Sequence, residues 1–139
     1  MNVCLYHLVA VAKFRNVILD KRADACLREI CLEISKRYEL AFLEIGADRD
    51  HVHFLIQAGQ TFSPDVIARI VKSITARELK TRYPAIKTKL WGAEVWTAGY
   101  FIATVGRSTA ETAIATYVRN QGKGATKYTI IHKNQLGLL

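Results

Sequence analysis

The sequence predicts an α+β domain of the ferredoxin-like, split βαβ kind: an antiparallel sheet with helices on one face and one further helix toward the C-terminus. Three observations carry that reading. The hydrophobic period switches between strand-like and helix-like in the order β, α, β, β, α, β, α. The two middle strands are separated only by Arg49 and Asp50, which forces an antiparallel hairpin. Half of the 139 residues are hydrophobic, enough for one compact core. Residues 1–139 are therefore read as a single domain with a tail over 122–139, and no repeat, low-complexity stretch or linker divides it.

The first strand is expected from Leu5 to Phe14, where LYHLVAVAKF is apolar and rich in strand-favouring residues before the basic Lys13 and Arg15. From about Arg22 to Tyr38 the period changes: Ala25, Leu27, Ile30, Cys31 and Ile34 recur at helical spacing with charges between them. Leu40 to Asp48 and His51 to Ala58 are the hairpin strands. Ser63 is an N-cap with Pro64 at the first helical position, and Val66, Ile67, Ile70, Val71, Ile74 and Leu79 define a second helix that ends before Pro84. A further strand runs from Val95 to Val105, with Gly99 marking a bulge or bend. Ser108 and Glu111 form a capping box that opens the last helix, which reaches Gln121 and is stopped by Gly122 and Gly124. Periodicity assigns no element to the tail.

A formal net charge of +8 and a pI near 9.6 suit a polyanionic partner. Charge alone does not separate a nucleic-acid binder from an ordinary basic protein. Lys13, Arg15, Arg69, Lys72, Arg77, Lys80, Lys87 and Lys89 are the candidates for DNA phosphate contacts. Trp91, Trp96 and Phe101 have the chemistry to stack on bases, although burial in the core is the default for such residues. Cys4, Cys26 and Cys31 are odd in number and lack CxxC spacing, which argues for a reducing compartment and against a structural zinc. The opening apolar run is broken at Lys13 and carries no basic leader, so neither a signal peptide nor a membrane span is expected, and the expected location is the cytoplasm.

His51 and His53 lie two apart on a strand, so both imidazoles project from one face while Val52 enters the opposite layer. Such a pair is half of a metal site, and by itself it is more often just two half-buried histidines. Tyr117 and Gln121 lie four apart on the last helix and project together, one turn apart. Each pair has an ordinary packing role open to it; their joint presence in one small basic chain favours a site. Tyr6 and Tyr100 sit in strand patterns, Tyr38 and Tyr83 near helix ends, and Tyr128 in the tail, so Tyr117 is the best placed nucleophile. His7, alone on the first strand, reads as a packed or hydrogen-bonded core histidine, and Asp50 as a residue that orients a site histidine or closes the turn.

The fragments YHLVAVAKFR, DHVHFLI, KLWGAEVWTAGYFIATVG and TYVRNQ stand in an order and spacing that resemble the single-tyrosine HUH transposases, the TnpA type of the smallest bacterial and archaeal insertion sequences. The similarity runs from about Tyr6 to Gln121. By this resemblance His51 and His53 match the two HUH histidines, Tyr117 the catalytic nucleophile, and Gln121 the helix-borne third metal ligand. One departure is Arg49, where the family usually has proline before Asp-His. The resemblance implies a metal-dependent endonuclease and strand transferase that cleaves and rejoins single-stranded DNA through a 5′-phosphotyrosine. It further implies a divalent metal, Mg²⁺ or Mn²⁺, hairpin-bearing DNA as substrate, no nucleotide cofactor, and a homodimer whose tyrosine helix can complete the partner's site. The chemistry is coherent, because a phenol with an ordinary pKa near 10 is a poor nucleophile at neutral pH and needs a cation to polarise the phosphate. Two other readings share these residues: a domesticated repeat-associated relative or a replication or conjugation nickase, and a noncatalytic single-strand binding domain. The last leaves the Tyr117 and Gln121 spacing unexplained.

Overall fold

The computed structural model describes residues 3–18, 20–59, 62–105 and 127–130. In chain order the elements are β1 (Val3–Ala12), α1 (Arg15–Ile18), α2 (Lys21–Tyr38), β2 (Leu40–Asp48), β3 (His51–Gly59), α3 (Pro64–Arg82), α4 (Ile86–Leu90), β4 (Trp96–Val105) and β5 (Lys127–Ile130). The sheet has the order β4-β1-β3-β2-β5, and every neighbouring pair is antiparallel. The crossovers through α2 and α3 interleave, which is the split βαβ arrangement. The last helix expected from the sequence, with Tyr117 and Gln121, lies outside the described residues.

Strand alternation builds the core. Tyr6, Leu8, Ala10 and Ala12 of β1 and Val52, Phe54, Ile56 and Ala58 of β3 are buried with Leu27, Ile30 and Ile34 of α2 and Ile67, Val71 and Leu79 of α3. The opposite face carries a smaller buried group, Leu5, Ala41, Leu43 and Leu55, with Val105 packed against it. Glu44, paired with Leu55 beside a bulge in β2, is only 2% exposed. Neither of its carboxyl oxygens has a hydrogen-bond partner among the described residues, and burial pushes its pKa up to about 7.

The helices begin where the sequence provides caps. Ser63 Oγ accepts from the Val66 amide at the start of α3, with Pro64 in the first turn. Thr75 Oγ1, buried on α3, donates to Val71 O and accepts from Trp96 Nε1 at 3.0 Å, tying the helix to β4. Arg82 closes α3 with a two-pronged bond to Glu33 of α2 at 2.6 and 2.7 Å.

Asp20 caps α2, accepting from the amides of Arg22 and Ala23, and it also accepts from Tyr83 Oη at 3.0 Å and Lys89 Nζ at 2.5 Å. The Lys89 ammonium, helped by the other donors, holds its carboxyl at about 2, below the ordinary 3.8. A carboxyl depressed on folding stabilises the fold above its unfolded pKa, and that contribution is lost as pH falls through the folded value. Asp20→Ala is therefore expected to cost roughly 1–2 kcal/mol at neutral pH. In denaturation curves the gap to wild type should be full at pH 7 and shrink between the ordinary carboxyl pKa of 3.8 and the folded value of about 2. A gap independent of pH would show that the carboxylate charge plays no part.

Three features depart from or add to the expectations. Two short helices, α1 and α4, fill connections that have too few residues to show a period. The tail contributes β5, which pairs with β2 and extends the sheet at that edge. Trp96 is buried, but Trp91 is 85% and Phe101 57% exposed, so the core default fails for both. Trp91 ends α4 in the left-handed region at φ 52°. The expected irregularity near Gly99 is present: between the pairs Ala10–Tyr100 and Ala12–Trp96, β4 has extra residues that β1 lacks.

Candidate functional site

The hairpin from β2 to β3 sets the position of the two histidines. Arg49 turns the chain at φ 59°, a conformation closed to proline, whose ring fixes φ near −65°. The Asp50 carbonyl accepts from the Ala12 amide at 2.7 Å, pinning the turn to the end of β1. The pairing of Val11 with His51 and Val9 with His53 then puts both imidazoles on the face away from α2 and α3, while Val52 is fully buried in the core.

The two rings are nearly parallel, 23° apart in plane, with centroids separated by 6.4 Å. Two imidazoles on one strand face are the kind of donor pair that can hold a divalent cation. His51 Nδ1 lies 2.5 Å from Asp50 Oδ1, and because a carboxylate only accepts, the imidazole donates through Nδ1, which leaves Nε2 as the nitrogen available to a ligand. His53 Nδ1 lies 3.1 Å from Nε2 of His7, which stacks on it with ring centroids 5.3 Å apart. Phe101 of β4 meets the His7 ring edge-on at 6.4 Å. Burial, and then the nearby His7 and His51, push the His53 pKa down to about 4; burial also lowers that of His7. His53 is thus neutral at physiological pH, the form a metal ligand needs. Among the described residues, no His, Cys, Asp or Glu group of three or more is arranged to hold a metal ion. The third ligand implied by the resemblance, Gln121, and the nucleophile, Tyr117, lie outside the described residues.

The sequence reads His7 as a packed or hydrogen-bonded core histidine; it is half-buried and hydrogen-bonded, and the partner the sequence does not name is His53. The signal is its phase: His7 and His53 share a face only in the β1–β3 register, and that register is a long-range property the sequence does not print. Asp50 bonds the His51 ring.

The basic residues divide by what they touch. Arg69 and Arg77 of α3, Lys87 of α4 and Lys13 after β1 are exposed, and Arg15 opens α1. Lys72 instead reaches across to the β4 bulge, donating to the carbonyls of Thr97, Ala98 and Gly99 at 2.9, 3.2 and 3.4 Å and lying over the Tyr100 ring. Lys80 pairs with Glu94 at 3.4 Å, and Lys89 with Asp20. No described helix is long and apolar enough to cross a membrane.

Comparison with known proteins shows the family. The family described as "Transposase IS200 like" matches residues 1–121. The chain is 32% identical over 117 residues to the ISDra2 transposase TnpA of Deinococcus radiodurans, covering 84% of this chain and 82% of that one. It is 25% identical to the transposase for insertion sequence element IS200 of Salmonella typhimurium, covering 85% and 76%. A crystal structure from Deinococcus radiodurans assigned as a transposase superposes with a TM-score of 0.67 at 26% identity, over 87% of this chain and 92% of that one. A REP-associated tyrosine transposase bound to a REP hairpin shares the fold at a TM-score of 0.55 and 10% identity, over 85% of this chain and 66% of the other. The match across residues 1–121 takes in the hairpin histidines and the TYVRNQ segment alike, and with the close relatives it establishes that the chain belongs to the IS200-like transposase family.

Proposed function

We propose that this transposase cleaves and rejoins single-stranded DNA at insertion-sequence ends through a 5′-phosphotyrosine, with Tyr117 as the nucleophile and a divalent cation, Mg²⁺ or Mn²⁺, held by His51, His53 and Gln121. The observation that carries the reading is the pair of neutral-competent imidazoles on one strand face, each held through Nδ1. A divalent cation bound there supplies polarisation of the scissile phosphate. Tyr117 Oη attacks phosphorus, the bond from phosphorus to the 3′-oxygen breaks, and that oxygen leaves as a hydroxyl. A second 3′-hydroxyl reverses the step on a new strand, so the phosphodiester energy is conserved and no nucleotide cofactor is needed. The partner reading is hairpin-bearing single-stranded DNA and a second copy of the chain.

The test uses the full chain with Mn²⁺ and single strands taken from either flank of its own gene. A denaturant-resistant protein–DNA adduct together with a free 3′-hydroxyl is expected. Binding without any adduct on either strand would overturn the catalytic reading in favour of a noncatalytic binding domain.

The exposed α3 cations give a second expectation. Combined Arg69→Ala and Arg77→Ala should reduce the slope of log affinity against log salt by up to about 2 units, since each lost phosphate contact removes close to one released counterion. Lys72→Ala should act differently, because its ammonium is engaged by the β4 carbonyls. It is expected to lower thermal stability more than the salt slope. A slope unchanged in the double arginine variant would place the DNA on another face.

A further inference from the structure

We infer that His7 is a positioning residue for metal binding: its Nε2 accepts the Nδ1 proton of His53 and so fixes the tautomer in which His53 presents the Nε2 lone pair. The inference rests on the metal-site reading above and deepens it. Neutral histidine has two tautomers, and only the one protonated on Nδ1 leaves Nε2 able to ligate. For His51 that choice is made by Asp50, an acceptor-only group 2.5 Å from Nδ1. For His53, the described residue in that place is another imidazole. The atom 3.1 Å from its Nδ1 is the Nε2 of His7, contributed by β1 at the diagonal position across the strand pair.

An imidazole can donate or accept, so His7 must itself be held in the accepting form, with its proton on Nδ1. Its ring is stacked on His53 at 18° between planes and met edge-on by Phe101. These contacts set the ring orientation that directs Nε2 at His53. β1 and β3 thus each give one imidazole to a hydrogen-bonded pair that Phe101 of β4 packs against, while Asp50 serves the other ligand from the hairpin turn. The arrangement makes both ligands Nε2 donors on one side of the sheet.

Two measurements test this. In wild-type chain without metal, ¹⁵N NMR of the imidazoles should show the His53 proton on Nδ1; a proton on Nε2 would overturn the inference. Mn²⁺ alone, titrated by electron paramagnetic resonance, should bind about 10- to 100-fold more weakly to His7→Phe, which keeps a stacked ring but removes the acceptor. His7→Gln, whose amide oxygen can accept the same proton, should recover most of that loss. His53→Ala serves as the reference. If His53→Ala loses Mn²⁺ and His7→Phe does not, the role of His7 is refuted while the metal site stands. If His51→Ala and His53→Ala both keep wild-type Mn²⁺ affinity, the metal-site reading fails and the inference with it. Should His7→Phe not fold, judged by its denaturation curve, the wild-type tautomer decides.

Discussion

Tyr117→Phe is expected to eliminate the covalent protein–DNA adduct and to lower strand cleavage by at least about 10⁴-fold, the scale on which removing a covalent nucleophile acts. The substitution deletes one hydroxyl and keeps the ring, so hairpin binding should remain close to wild type. Denaturing gels read the adduct and gel shift reads the binding. The described tyrosines are poor substitutes. Tyr6 is 6% exposed, and burial foremost raises its pKa. Tyr83 donates to Asp20, and Tyr100 to Asp65 at 2.8 Å, which raises the Tyr100 pKa. An undiminished adduct in Tyr117→Phe would remove Tyr117 from the mechanism and point to the remaining candidates, Tyr38 at the end of α2 and Tyr128 of β5.

How much of this was legible in the sequence depends on whether the deciding information was local. The β2–β3 hairpin was readable to its ends at Leu40, Asp48 and His51, because two apolar runs joined by a two-residue connection must pair antiparallel. α3 was readable because Ser63 and Pro64 start it and Pro84 stops it. That His51 and His53 share a face followed from their spacing alone. What faces them did not. The partnership of His7 with His53 needs the β1–β3 register, and the capture of Lys72 by the β4 carbonyls needs the helix laid across the bulge. β5 carries only four residues, LysTyrThrIle, too few to display a period. Trp91 was misjudged because composition says aromatic, and therefore core, whereas the left-handed end of α4 overrides that preference. In each case long-range or backbone geometry decided the outcome. The family resemblance, by contrast, was readable in full from four ordered fragments, since it depends on residue identity and spacing and not on contacts.

The exposed aromatics of β4 bear on assembly. Among the described residues β4 is an edge strand with no strand paired on its outer side, and Tyr100 and Phe101 are 41% and 57% exposed on it. Such an edge suits pairing with a second copy, the homodimer implied by the resemblance. If the Tyr117 helix of one subunit serves the histidine pair of the other, two inactive variants should rescue each other. A heterodimer of one Tyr117→Phe chain and one His51→Ala/His53→Ala chain then contains one site with both nucleophile and metal ligands, and one site lacking both. Random exchange of equal amounts makes half of the dimers heterodimers, each with one working site of two, so about a quarter of wild-type cleavage should return. If each site is built within one chain, every heterodimer site lacks either the nucleophile or the metal pair, and no mixing ratio restores cleavage. Subunit exchange is verified with differently tagged chains, and hairpin binding by both variants is checked separately. Because each parent is inactive on its own, any adduct formed in the mixture carries the tag of the chain that supplied Tyr117, which identifies the donor subunit directly. Absence of rescue under proven exchange would reject assembly across the dimer and leave the phosphotyrosine chemistry intact.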